Sequence, residues 1–519
     1  MSRIRIGSAG AFVFLICGSL ALFGAEELIK AKIDASRLRV RLGEPVIFDS
    51  GASTAGEDAE FFGFYWDFND MDVVRVDSQE PKVSHVFNRT GAYTVKLTVE
   101  NDQGERDEAS VSVEVLPDTD SGPAITDNFQ GGKTGLFIDS EETFAFRLEW
   151  GGQFYFRIDN CKNKPVSLKI FGYGPNRNQL ESVTPYLDDY SFDEKFTLMY
   201  STDYQNHEWQ PLTDAEYAYD EQSASLTASF TPAAESVYLA WAVPYTMRHL
   251  ESLIDRSKGD PRFSVETIGL SVEGRPIYAI TVTDPKTDDE DKKVVWITGT
   301  QHAYEMAAGP VCDGIVATLL EDSDSSKAVL KNYVYRMVPI MNPDGVMHGG
   351  YRYNMHDIDL NRNWDEDAPN PWDREISEPE VASVKWAIEE WVSSGNGLDF
   401  YFDFHCLTAL SNNLLMIKAA PDSIPPPIAA EQDRFVREFF ARKYVWRISE
   451  SESVGSANGY VSDLYAARTG VLSFTSEHAL GFITPAGAGA EPVRSTPAHW
   501  RRLGADYVWT IREYFESRK

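Results

Sequence analysis

Cysteine is scarce in this chain of 519 residues: there are four, and only Cys161, Cys312 and Cys406 lie beyond the first 25 positions. They are far apart and odd in number. That excludes a disulfide framework and a paired-cysteine metal site, so stability has to come from packed cores. Basic residues are also short, with 48 Lys and Arg against 80 Asp and Glu and a net charge of −32. A nucleic-acid binder needs a cationic footprint on the scale of a domain, which this composition does not supply, and anionic membrane surfaces are disfavoured for the same reason. After the N-terminal segment no stretch runs through 18 uninterrupted apolar residues, so no later membrane span is expected. Internal repeats and low-complexity tracts are missing as well.

What is present is core-forming material. Hydrophobic residues make up 43% of the chain and aromatics 13%, enough for several cores. The length suggests about three domains. At the N-terminus, Arg3 and Arg5 precede an uncharged, nearly all-apolar run from Ala11 to Phe23, then Gly24, Ala25, Glu26 and Glu27. The run is short for a bilayer and its layout is that of a secretory signal peptide. Residues 1–25 are therefore expected to be removed, leaving a secreted or periplasmic protein with no membrane association beyond the signal.

Residues 26–117 read as a small β-sandwich. The runs LRVRLGEPVIF, FFGFYWDF, KVSHVF, AYTVKLTVE and EASVSVEV alternate with turn signals. Two stretches, Tyr65–Asp70 (YWDFND) and His85–Asp102, together resemble the PKD module, an immunoglobulin-like domain. The resemblance implies a spacer or binding module that engages cell-wall peptides or a surface polymer. Trp66 is expected in its core. A polar linker, Asp118–Pro123, follows. Residues 124–245 are again strand-rich and read as a second β-sandwich, in which His207 and Trp209 are expected to be structural. From residue 246 to 519 helical patterns alternate with the compact strands KKVVWITG, VYRMVPIM, DFYFDFH and GVLSFTS, which means an α/β sheet covered by helices. The fold class is thus two β-sandwich domains followed by an α/β domain. Ser377 and Glu380 have capping-box spacing at the start of one helix.

The chemistry concentrates in the α/β part. His302 and Glu305 form an HxxE string directly after KKVVWITGT. With nine His in the chain, roughly one such string is expected by chance, so its place at a strand's C-terminal end gives it weight. Imidazole and carboxylate suit zinc, and a catalytic zinc takes three protein ligands and an open water position. FYFDFHC offers the third, with Tyr401, Asp403 and His405 alternating against Phe402, Phe404 and Cys406 and His405 expected to end its strand. The segment from Gly349 to Trp364, GGYRYNMHDIDLNRNW, carries Arg352, Asp359, Asn361 and Arg362. Glu477, at the expected end of GVLSFTSE, is either a general base or a solvated strand-end residue.

HxxE, NPDG, R…DLNRN, a strand-end His and SFTxE occur in the order found in the M14 zinc carboxypeptidases. TLMYSTDYQNHEW and SVYLAWAVPY resemble the N-terminal domain of the cytosolic-carboxypeptidase-like branch, so the likeness runs from about Ala124 to Lys519. It implies a mixed sheet covered by helices and one Zn2+ per chain. It also implies hydrolysis of C-terminal residues from peptides or proteins. By motif, His302, Glu305 and His405 match the zinc ligands and Asp359 the carboxylate that orients the first histidine. Arg352 matches the arginine that polarises the scissile carbonyl. Asn361 and Arg362 match the clamp on the substrate's terminal carboxylate, and Glu477 the general base. Gln301 and the Ala-Tyr after His302 depart from the H-P-G-E string of that branch. The family's mobile active-site tyrosine has no secure match, with Tyr460 and Tyr465 both open as candidates. In the segment before Glu477, Asp463 would favour basic substrate side chains and Arg468 acidic ones, so the side-chain preference stays open. Two alternatives share the site: an amidase acting on peptidoglycan stem peptides, and a binding protein with a catalytically dead domain.

Overall fold

The computed structural model describes residues 29–42, 44–56, 59–68, 81–87, 90–116, 122–127, 130, 132–133, 136–138, 144–147, 154–171, 196–203, 209–220, 225–350, 352–364, 377–407, 414–419, 424–441, 454–455, 470–483 and 493–518. The expected signal segment 1–25, linker residues 118–121, His207, Tyr460, Asp463, Tyr465 and Arg468 lie outside them. Two compact units are present. The smaller is drawn from the first 113 residues; the larger runs from Glu114 onward and takes in Arg39–Glu44 and Phe87–Tyr93.

Within the first 116 residues, Asp34–Ala35, Pro45–Asp49 and Lys82–Val86 form a three-stranded sheet. Arg39–Arg41, Arg106–Leu116, Gly91–Asn101 and Phe61–Asp67 form a four-stranded one in that order. Along Gly91–Asn101 the burial alternates, turning Tyr93, Val95, Leu97 and Val99 inward, as a half-buried strand requires. Trp66 has no exposed surface and lies 5.9 Å from Phe48 of the other sheet, so it is a core tryptophan.

Residues 124–240 form two five-stranded sheets. One follows the order 216–220, 225–230, 166–171, 144–147, 136–138; the other 210–211, 199–201, 236–240, 155–159, 124–126. Phe156, Ile158, Leu168, Ile170, Leu226, Val237 and Leu239 fill the space between them. Trp209 is buried as well, edge-on to Tyr155 with ring centroids 5.5 Å apart.

The α/β part is built on one eight-stranded sheet. Its strands are β1 (Phe263–Leu270), β2 (Pro276–Val282), β3 (Lys293–Gly299), β4 (Tyr333–Val338), β5 (Phe400–Leu407), β6 (Leu415–Ala419), β7 (Val454–Gly455) and β8 (Leu472–Ala479), in the order β1-β2-β4-β3-β5-β8-β6-β7. The inner strands β4, β3, β5 and β8 are parallel; β1 against β2, β2 against β4 and β6 against β8 are antiparallel. Parallel strands buried on both faces read as continuous apolar runs, which is why KKVVWITG is buried from Val294 to Gly299. Helix α1 (Met247–Ser257) leads into the sheet. Helices α2 (Ala308–Leu320) and α3 (Asp324–Asn332) connect β3 to β4. α4 (Pro343–Met347) and α5 (Pro379–Ser393) lie between β4 and β5, and α6 (Pro426–Ala441) and α7 (Pro497–Glu516) follow. α2 is apolar nearly all round and buried accordingly. It crosses α7 closely because both carry glycine there: a Cβ on Gly504 would stand 2.2 Å from the Val311 carbonyl oxygen.

The capping box expected from Ser377 and Glu380 does not form. α5 has Glu378 at its N-cap and Pro379 at its first turn, and the Glu380 carboxylate is drawn off to the Val272 N–H at 3.2 Å and Asn354 Nδ2 at 3.1 Å. Two boxes of another kind are present. His249 Nδ1 accepts from Thr246 N–H at 2.8 Å at the head of α1, and His499 Nδ1 from Thr496 N–H at 3.2 Å at the head of α7.

β3 is where the strand order turns: β4 lies on one side and β5 on the other. In open α/β sheets the crevice beyond the strand ends at such a point is where ligands bind.

Candidate active site

The chain leaves β3 through Thr300, a buried β-branched residue at φ +55°. That left-handed conformation is uncommon for threonine and strained. It is held by the Thr300 hydroxyl donating to the Pro339 carbonyl at 2.9 Å and by Asn342 N–H donating to the Thr300 carbonyl at 3.1 Å. The turn delivers Gln301, His302 and Glu305 to the crevice. NPDG acts as a clasp here. Asn342 caps α4 through the Gly345 N–H at 2.9 Å, and its amide donates to the carbonyls of Gln301 (3.3 Å) and Tyr353 (3.1 Å). A Cβ on Gly345 would sit 2.7 Å from that of Ala303.

His302, Glu305 and His405 come together, all buried, with ligand atoms within 4.8 Å of one another. Glu305 lies between the imidazoles: Oε1 is 2.8 Å from His302 Nδ1 and Oε2 is 2.7 Å from His405 Nδ1. Each ring's far nitrogen meets another carboxylate. His302 Nε2 is 2.9 Å from Asp359 Oδ1, and His405 Nε2 is 2.8 Å from Asp403 Oδ2. A carboxylate on Nε2 fixes the tautomer that leaves Nδ1 free to bind a metal, and raises its basicity. Two convergent imidazole nitrogens and one carboxylate are the donor set of a catalytic zinc site, so these residues fit Zn2+.

His405 lies inside β5, which continues to Leu407, and Glu477 lies inside β8, which continues to Ala479; neither ends its strand. The register pairs Glu477 with His405 on adjacent strands. Desolvation, helped by the nearby Glu305 carboxylate and opposed by His405 and His302, pushes Glu477 up to about 7. A carboxylate near neutrality has the basicity a general base needs, and a cation on the triad would draw it down. Burial alone would raise Glu305 and Asp359. The imidazoles beside them, joined at Asp359 by Arg352, outweigh it and hold both well below the carboxylate range.

Arg352 is fixed by Asp359, whose Oδ2 accepts Nε–H at 3.0 Å and Nη2–H at 2.8 Å. Its Nη1 donates to the Tyr304 hydroxyl at 2.9 Å and lies 3.4 Å from His302 Nδ1. Asp359 also accepts the Asn361 N–H at 3.0 Å, folding DLNR into a short 3-10 turn. Asn361 is buried, with its side-chain amide nitrogen 3.1 Å from His405 Nε2. Arg362 is half-buried, and its Nη1 donates to the Asn361 carbonyl at 3.0 Å.

Three contributors went unassigned at the sequence level: Asp403, Gln301 and Tyr304. Asp403 could have been found, since residues i and i+2 of a strand share a face and it therefore sits beside His405. Tyr304 stands one residue before Glu305, on the same loop, and its ring stacks on His302 at 6.1 Å between centroids.

Residues 250–485 match the family model of zinc carboxypeptidases, Peptidase_M14, and residues 31–115 that of PKD domains. The mouse (Mus musculus) cytosolic carboxypeptidase 6 is 29% identical over 236 residues, 44% of this chain; the chain spans 41% of that protein's length. An uncharacterized protein of Zymomonas mobilis is 26% identical over 354 residues, 66% of this chain and 80% of the other. The crystal structure of a metallo-carboxypeptidase from Burkholderia cenocepacia superimposes with a TM-score of 0.61 at 24% identity, covering 77% of this chain and all of that one; this is a likeness of fold. Residues 250–485 are thus a zinc carboxypeptidase domain of the M14 family, preceded in the same chain by a PKD domain.

Proposed function

We propose that this protein is an exported zinc metallocarboxypeptidase that removes C-terminal residues from peptides or proteins. The observation that carries the reading is the triad His302, Glu305 and His405, flanked by Glu477 on one side and Arg352 on the other. Zinc held by the triad supplies a Lewis acid that lowers the pKa of water to about 7 and polarises a carbonyl. Glu477 takes one proton from the attacking water and returns it to the departing amine as the peptide C–N bond breaks. Arg352, anchored by Asp359, presents Nη1 to the carbonyl oxygen as that oxygen gains negative charge. Arg362, with Asn361, grips the substrate's free carboxylate through charge-assisted hydrogen bonds. Arg3, Arg5 and the apolar run Ala11–Phe23 support export, and the PKD domain supports attachment to a surface polymer or cell-wall peptide.

The test compares one peptide with a free and an amidated C-terminus. Amidation removes the charge that Arg362 pairs with, and a hydrogen bond to a charged group is worth about 1.5–3 kcal/mol. kcat/KM is therefore expected to fall about tenfold to a hundredfold. Arg362→Ala is expected to cause a similar fall on the free peptide and little more on the amidated one. Equal cleavage of both peptides, or release of internal fragments, overturns the exopeptidase reading and points to an amidase or endopeptidase at the same site.

A further inference from the structure

We infer that Gln301 is a positioning residue for His405, acting through Asp403, and that it sets how tightly the site holds zinc; the inference rests on the zinc reading above. Gln301 and Asp403 both have no exposed surface. The Gln301 amide is engaged at both ends. Nε2 donates to Asp403 Oδ2 at 2.7 Å, and Oε1 accepts from the Trp364 indole N–H at 2.8 Å. Turning the amide over would set its oxygen against a carboxylate and its NH2 against an N–H, so only one orientation satisfies the pair. Asp403 Oδ2 therefore receives two donors, Gln301 Nε2–H and His405 Nε2–H, while Oδ1 accepts from the Thr298 hydroxyl at 3.0 Å. Thr298 and Asp403 are register partners across β3 and β5.

The consequence is geometric. Donors on both oxygens fix the plane and rotation of the Asp403 carboxylate, and the carboxylate fixes the His405 ring, whose Nδ1 must face the metal. Gln301 directly precedes His302, so a single turn after β3 carries two ligands and also the support of the third, which belongs to β5. With an apolar side chain at position 301, the Trp364 indole N–H loses the Gln301 oxygen, and Asp403 Oδ2 keeps only the imidazole it orients. Asp403 is then held by the protein at Oδ1 alone, through Thr298, and can turn about that contact together with the imidazole.

The experiment uses the full chain, stripped of metal, with the zinc dissociation constant measured by chelator competition at neutral pH. Gln301→Leu is expected to weaken zinc binding about 10–100-fold, the usual effect of losing an outer partner of a metal ligand. It should also change the visible absorption of the Co2+-loaded protein, which reports ligand geometry. If Gln301 only fills the core, the variant melts earlier with and without metal but binds zinc as tightly as the parent chain, and the inference is overturned. Should Gln301→Leu fail to fold, Trp364→Phe removes only the indole donor and is expected to weaken zinc in the same sense by a smaller factor. Unchanged affinity in a folded Trp364→Phe chain overturns the inference equally. A parent chain that binds no zinc is a different result: it overturns the zinc reading itself.

Discussion

The two histidines of the triad are supported in contrasting ways. His302 leans on Asp359, a residue of an irregular segment, and Asp359 is shared with Arg352, which in turn meets Tyr304. His405 leans on Asp403, a residue of its own strand, and Asp403 is shared with Gln301 and Thr298, which have little or no contact with solvent. Asp359 and Arg352 keep 12% and 18% side-chain exposure, while Asp403 has none. The first side stays reachable, as the proposed contact of Arg352 with substrate requires. The second has no such duty and can be sealed. The difference teaches that one metal site can be held rigidly from the sheet and left workable from the loop.

Substitutions can break this contrast. The largest effect is expected outside both sides, at Glu477. Glu477→Gln should bind zinc normally and lose about 10²–10⁴-fold in kcat, because an amide cannot accept the proton of water; steady-state kinetics with zinc at saturation checks this. Next is Asp359→Asn. It should weaken zinc about 10–100-fold and, unlike Gln301→Leu, keep a deficit in kcat at saturating zinc, since Arg352 loses its anchor as well. A kcat that recovers fully with added zinc would show that the loop side only holds metal. Tyr304→Phe takes away an acceptor worth about 0.5–1.5 kcal/mol, so kcat should fall by up to roughly tenfold with zinc affinity unchanged.

The smallest effect is a proton. Burial would lower His405, but Asp403 and Glu305 outweigh it and raise it well above its ordinary value, so the metal-free site holds a proton there. A raised histidine stabilises the metal-free fold below the unfolded pKa of about 6.5, and that stability is lost as pH rises through the folded value. Zinc needs the neutral ring, so binding should release a proton and apparent affinity should climb with pH. Calorimetry in buffers of differing ionisation enthalpy reads that proton; no release would mean His405 is already neutral in the metal-free site.

The sequence made the framework legible because its cues were local. Parallel strands buried on both faces appear as apolar runs, and HxxE and DFYFDFH stand at or near the ends of two of them. The supports were legible only where spacing along one element carried them. Asp403 could be read from its place two residues before His405. Gln301 could not, because it meets Asp403 across 102 positions. Ser377 and Glu380 had capping spacing, yet tertiary partners took the Glu380 carboxylate. The boxes at Thr246 and Thr496 escaped a rule written for Glu and Gln, although a histidine Nδ1 accepts an N–H equally well.

The turn at Thr300 bears on when the site comes into being. A threonine stays in the left-handed region only while its surroundings hold it there, and Pro339 and Asn342 do so from beyond β4. The third ligand arrives later still, since His405 follows Glu305 by 100 residues. A growing chain that has made HxxE alone has two of the three donors on an unsupported turn. The turn has its supports only with β4 and the residues after it in place, and the last imidazole only with β5 paired to β3. A chain carried unfolded across a membrane would therefore travel without an assembled hydrolytic centre, and would gain one only where it folds.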